Sequence, residues 1–67
     1  MSLVNRIGKR IKLERERQEL SQEALAEKAG ISRGYLARLE TGRHDPTVGV
    51  VEKLARALRV KVADLLK

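Results

Sequence analysis

Gly30 divides the centre of this 67-residue sequence into two short apolar-patterned segments, each opened by a serine. That punctuation constrains the fold more than any other feature. Ser21 is a favourable N-cap, because its side-chain oxygen accepts from a backbone N–H of the first turn. Glu23 follows within that turn, where the helix dipole favours an anion. Leu25, Ala26 and Ala29 then fall on one side, which predicts a helix from Gln22 to Ala29. Gly30 suits the left-handed residue beyond that helix, and Ile31 supplies the apolar contact that accompanies such an end. Ser32 caps the next helix, expected to continue to about Thr41 and to stop at Gly42.

The flanking segments are helical too. Leu3, Val4 and Ile11 lie within about 60° of Ile7 on a helical wheel, giving an amphipathic helix over residues 4–18. Glu14 falls on the apolar side of that wheel and Leu13 off it. Either a basic partner relieves Glu14, or the helix rotates its burial near its end. After the loop His44-Asp45, Pro46-Thr47 opens a fourth helix carrying Val48, Val51, Leu54, Ala55 and Leu58. A break at Arg59–Lys61 leads to a last turn or two with Val62, Leu65 and Leu66. No stretch alternates long enough to make a strand. The expectation is all-α: five short helices, residues 1–67 as one domain with no room for a second.

Composition removes whole classes of function. Cysteine is absent and histidine occurs once, so neither a disulfide framework nor a zinc site can form, and no metal or cofactor is expected. No apolar run approaches the length of a membrane span or a signal-peptide core, which implies a cytoplasmic protein and no membrane partner. Tyr35 is the sole aromatic, too few for stacking single-stranded bases. No Ser/His/Asp or Cys/His set, phosphate loop or paired carboxylates are present, so the chain does not read as an enzyme. Fifteen Lys and Arg against nine Asp and Glu leave a charge of +6, which favours an anionic partner.

Two short helices joined at a tight glycine turn have the arrangement of a helix-turn-helix, here spanning about residues 21–41. On a wheel of the second helix, Tyr35, Leu36 and Leu39 face inward. Arg33, Gly34, Ala37, Arg38 and Thr41 face outward. Arginines flanking very small side chains suit a surface that enters a DNA groove, since small residues permit close approach and guanidinium groups bond guanine edges or phosphate in pairs. Gly34 sacrifices about 1 kcal/mol of helix propensity relative to alanine, a loss moderated by its first-turn position.

The run from Leu20 to Arg43, with Pro46-Thr47 and Leu54-Ala55-Arg56-Ala57-Leu58, resembles the Cro/cI-type (XRE) helix-turn-helix regulators of bacteria and phages. The spacing is kept without a gap, and the likeness reaches roughly from Ile7 to Leu66. The resemblance implies a compact five-helix, lambda-repressor-like domain. It also implies a sequence-specific regulator of double-stranded DNA, expected to be a repressor and a homodimer on a palindromic operator. By the same resemblance Gln22 matches a phosphate-contacting position, and Ser32, Arg33 and Gly34 match positions facing bases or flanking backbone. Arg38 matches another base- or phosphate-facing position, Arg43 a basic loop residue on the backbone, and Arg15 with Glu40 an ion pair that fixes the first helix against the third. The sequence departs from the pattern at Gly34, at Glu14, at Arg59 where glycine is common, and at Lys61 where a capping residue is common.

Plainer readings stand beside these. Arg33 and Arg38 alone would pass for a solvated helix face, and Arg15 with Glu40 for separate surface charges worth about 0–1 kcal/mol together. Tyr35 is read as half-buried with its hydroxyl within reach of a phosphate, and His44 as an ordinary loop residue. The first helix and its end carry six Lys/Arg against three Glu up to residue 19, a solvated face that adds non-specific phosphate attraction. Val62, Leu65 and Leu66 are the candidate dimer surface, with Leu65 and Leu66 alternatively closing the core. The competing function is an antitoxin or other protein-interaction module on the same fold.

Overall fold

A computed structural model describes the backbone of residues 3–67 and side chains from residue 6 onward; Leu3 and Val4, expected on the first apolar stripe, lie outside the described side chains. Five helices follow one another: α1 (Leu3–Arg17), α2 (Gln22–Ala29), α3 (Arg33–Glu40), α4 (Val48–Leu58) and α5 (Val62–Leu65). The expected ends are met within a residue or so, α1 being shifted by one and α3 passing to Thr41 as its cap.

Local chemistry explains the boundaries. Ser21, Ser32 and Thr47 each take extended backbone and accept from the N–H three residues on, at 3.0, 3.0 and 3.1 Å. At the other ends the chain reverses through a left-handed residue, and the following N–H reaches back into the helix. Leu20 N–H donates to the Arg15 carbonyl, Ile31 to Ala26, Arg43 to Arg38 and Val60 to Ala55, at 3.0, 3.0, 2.9 and 2.9 Å. Gly30 and Gly42 take that conformation freely, with φ of 72° and 75°. Glu19 and Arg59 take it with φ of 57° and 59° and bear the steric penalty of a side chain there. Arg59→Gly is therefore expected to stabilise the protein by up to about 1 kcal/mol, raising Tm by about 4–8 °C per kcal/mol in a chain of this size. Thermal unfolding followed by circular dichroism checks this; an unchanged or lowered Tm would contradict it.

The first turn of α5 is closed differently from the others. Lysine has no acceptor, so Lys61 cannot cap in the way serine does. Instead the Asp64 carboxylate accepts from the Lys61 backbone N–H at 3.0 Å, and this bond holds the Asp64 carboxyl below its usual range.

The helices enclose one apolar cluster in which Ile11, Leu25, Leu36, Leu39, Leu54, Leu58 and Leu65 are fully buried. α1 packs on α3, α2 on both α3 and α4, and α5 closes against α4 and α1. Gln18 donates to the Leu58 carbonyl at 2.7 Å and Arg10 to the Asp64 carbonyl at 3.2 Å, tying α1 and the turn after it to the ends of α4 and α5. The Glu14 alternative resolves toward a basic partner: Glu14 is buried on the apolar side and accepts from Arg17 Nη1 at 3.1 Å, while Leu13 stays exposed. Two expectations are corrected. Leu65 is wholly enclosed and belongs to the core, not to a dimer surface. Val48, counted with the apolar stripe of α4, is 77% exposed, because the first residue of a helix directs its side chain back past the end of the packed region.

Candidate nucleic-acid interface

α3 is anchored by its inner side. Leu36, Leu39 and Glu40 are buried, Tyr35 is half-buried, and Arg33, Gly34, Arg38 and Thr41 are exposed. Ala37, expected on the outward face, is half-buried and so borders that face rather than standing on it. A Cβ added at Gly34 would meet only Arg38 Nη1, at 3.7 Å, so nothing within the molecule requires a glycine there. The left-handed Gly42 swings the chain away from the end of α3, and the Arg43 N–H bond to Arg38 fixes where the exposed Arg43 departs. His44 is more than a spacer: its ring meets Tyr35 edge-on, centroids 4.9 Å apart at 77°, bracing the loop against α3.

The electrostatics of this surface follow from one buried carboxylate. Glu40 is the only acid on α3, and it points inward. Its two oxygens accept from Arg15 Nε at 2.7 Å and Nη2 at 3.0 Å, and one of them also accepts from Gln22 Nε2 at 3.0 Å. Side-chain exposure is 11% for Arg15 and 2% for Glu40, so this is a desolvated two-point ion pair rather than the surface charges of the plainer reading. Hydrogen bonding to Glu40 holds the Arg15 guanidinium above its ordinary value despite burial. The third Arg15 nitrogen donates to the Leu20 carbonyl at 2.8 Å, so the same guanidinium joins α1, α3 and the approach to α2.

With Glu40 turned in and neutralised, the outward side of α3 carries only positive charge. Arg33, Arg38 and Arg43 are exposed, and none pairs with a carboxylate among the described residues. Gln22 opens α2 with one amide hydrogen committed to Glu40 and a second free, beside first-turn N–H groups whose dipole attracts anions. Ser32 commits its oxygen to the Tyr35 N–H and retains its hydroxyl proton for an outside acceptor. The arrangement offers donors and cations to an anionic surface on one side of the molecule.

A second surface is apolar. Ile7, Pro46, Val48, Val51, Val62 and Leu66 line a groove of about 220 Å³, with Leu66 44% exposed. Val62 and Leu66 of the candidate dimer surface meet here, whereas Leu65 does not. Pro46 and Val48 join them unforeseen. Their signal was an apolar pair at a helix start, beyond the reach of the core.

Residues 11–65 match the helix-turn-helix family HTH_3. The chain is 42% identical over 60 residues to the immunity repressor protein of Bacillus phage phi105, covering 90% of this chain but only 42% of that protein; it thus spans about two fifths of that relative's length. The crystal structure of the restriction-modification controller protein C.AhdI from Aeromonas hydrophila superposes with a TM-score of 0.89 at 35% identity, covering 94% of each chain. That of SinR, the master regulator for biofilm formation, in complex with DNA gives 0.87 at 39% identity, covering 91% of this chain and 98% of that one.

Proposed function

The chain belongs to the HTH_3 helix-turn-helix family, and from that premise we propose that it is a sequence-specific repressor of transcription that binds double-stranded DNA as a homodimer on a palindromic operator. The observation that carries this reading is the acid-free outward side of α3, whose single carboxylate, Glu40, is withdrawn into a buried ion pair. In this reading α3 enters the major groove. Arg33 and Arg38 bond base edges, and Gly34 together with Ala37 allows the backbone close to the duplex. Gln22, Ser32, the Tyr35 hydroxyl and Arg43 hold phosphates on either side and set the register. That SinR is solved in complex with DNA supports this reading, as does the name of the phage relative, an immunity repressor.

The apolar groove supplies the dimer contact. Val48 and Leu66 stand exposed around it beside the half-buried Val62, and burying such side chains against their symmetry mates removes apolar surface from water. Two copies would then present their α3 helices to half-sites about 34–36 Å apart, one turn of duplex. Selecting bound sequences from a random duplex pool tests the whole reading: two inverted half-sites are expected, and a pool that remains random refutes it. With about 6–10 phosphate contacts per dimer, affinity should fall ~10³–10⁵-fold between 50 and 200 mM salt.

Arg38 and Arg43 are separable. Arg38→Ala is expected to cost about 1–3 kcal/mol on the selected sequence and to relax preference at one base position. Arg43→Ala should weaken all sequences alike and lower the salt slope by about 1. Titrating both variants against selected and scrambled duplexes decides this, and equal losses on the two duplexes for Arg38→Ala contradict a reading role.

A further inference from the structure

Away from α3, the C-terminal end of α2 and the second half of α4 leave an open groove of about 330 Å³ lined by Lys28, Ala29, Gly30, Lys53, Arg56 and Ala57. Its rim carries three exposed cations, none of them in an ion pair among the described residues. Glu27 and Glu52 are their neighbours in sequence, yet neither lies within ion-pair distance of a cation among the described residues. The floor is made by side chains no larger than a methyl group, so a chain can lie close to it. None of the lining residues is on α3, and Lys53 and Arg56 occupy the helix face opposite the buried Leu54 and Leu58.

Three like charges around one concavity repel one another, and an anionic occupant relieves that repulsion while gaining attraction to each. The chemistry of the site chooses the occupant. Its cations ride on long, exposed stems and no buried donor points into it, so it lacks the fixed geometry that holds a single small anion. A narrow floor with spaced charges on both sides suits an extended chain bearing several carboxylates. We propose that the α2–α4 groove docks an acidic segment of a partner protein, through Lys28, Lys53 and Arg56, independently of the α3 surface.

The test uses a ten-residue glutamate peptide as probe and a serine–glycine peptide of equal length as control, titrated into the full chain and followed by amide chemical shifts. Shifts are expected at Lys28–Gly30 and Lys53–Ala57 with the glutamate peptide alone, and they should persist when the chain is saturated with duplex DNA. The double change Lys53→Gln and Arg56→Gln, at exposed positions, should weaken the peptide by about tenfold or more while leaving helicity unchanged and lowering duplex affinity by a much smaller factor. Shifts confined to Arg33, Arg38 and Arg43, or absent altogether, overturn the proposal. So does a double variant that loses duplex affinity as fast as peptide affinity, since the groove would then be an extension of the nucleic-acid surface. Duplex binding by the unaltered chain is measured separately, so failure of the regulator reading is distinguishable from failure of this one.

Discussion

Gly8→Ala is expected to leave the protein largely unfolded at temperatures where the parent chain is folded. Gly8 is buried where α1 crosses α3, and a Cβ there would run into the Leu39 carbonyl oxygen, with the Leu39 and Glu40 carbonyl carbons at 3.2 and 3.3 Å. The obstacle is backbone inside a helix, which cannot swing aside as a side-chain tip does. Relief requires α1 to lift away from α3, opening the contacts of Ile7 and Ile11 and stretching the Arg15–Glu40 pair. Overpacking a close-packed interface by one methyl costs typically about 1–3 kcal/mol, and a clash with backbone falls at or above the upper end. At about 0.05–0.15 kcal/mol per residue, a chain this small has about 3–10 kcal/mol in all, and such a loss takes a large share of it. Gly34→Ala is the control, since its Cβ meets only the far end of Arg38 at 3.7 Å. It should match or exceed the parent in stability because alanine is the better helix former, yet weaken duplex binding by placing a methyl on the outward side. Urea unfolding of the two variants decides: similar stabilities would show that α1 and α3 do not meet as closely as described.

The contrast between these glycines shows what the sequence made legible. The caps at Ser21 and Ser32, the opening of α4 at Pro46-Thr47 and the left-handed turn at Gly30 were readable because each is set by residues a few positions apart. The inward and outward sides of α3 were readable because eight residues at helical period determine which side can be buried. Gly8 was not, since its reason lies on another helix and nothing near it in sequence signals a neighbour's carbonyl. Arg59 and Glu19 adopt left-handed backbone without the residue that signals it; the packing of Leu20 and Val60 on the core fixes the reversal instead. Leu65 and Leu66 look alike in sequence, and only the way α5 closes on α1 and α4 sends one inward and leaves the other half out. For the candidate interface, motif spacing located the arginines, but the burial that withdraws Glu40 from their side is a tertiary fact.

Arg15→Met is expected to destabilise the protein by about 3–5 kcal/mol, because it strands a carboxylate whose side chain is 2% exposed. The substitution keeps apolar bulk and removes both bonds to Glu40, at 2.7 and 3.0 Å, as well as the one to the Leu20 carbonyl. An exposed pair would lose no more than about 1 kcal/mol, so the measurement separates the buried reading from the surface one. Glu40→Leu strands the guanidinium instead, but Arg15 retains its bond to Leu20 and some contact with water, so its loss should be smaller. Removing both charges together should cost well under the sum of the single changes, since no unpaired charge is left behind. Glu40→Leu should also free Gln22 from its anchor and weaken duplex affinity by a similar factor on every sequence, a phosphate-type defect rather than a change of base preference. The alkaline side adds a check of sign. Arg15 titrates above its ordinary value in the folded state, so its contribution is fully present below the unfolded arginine value and is lost only as pH rises past it. The difference in stability between parent and Arg15→Met should therefore stay constant from neutral to moderately alkaline pH. A difference that shrank across that range would show that the guanidinium is not held as the geometry requires.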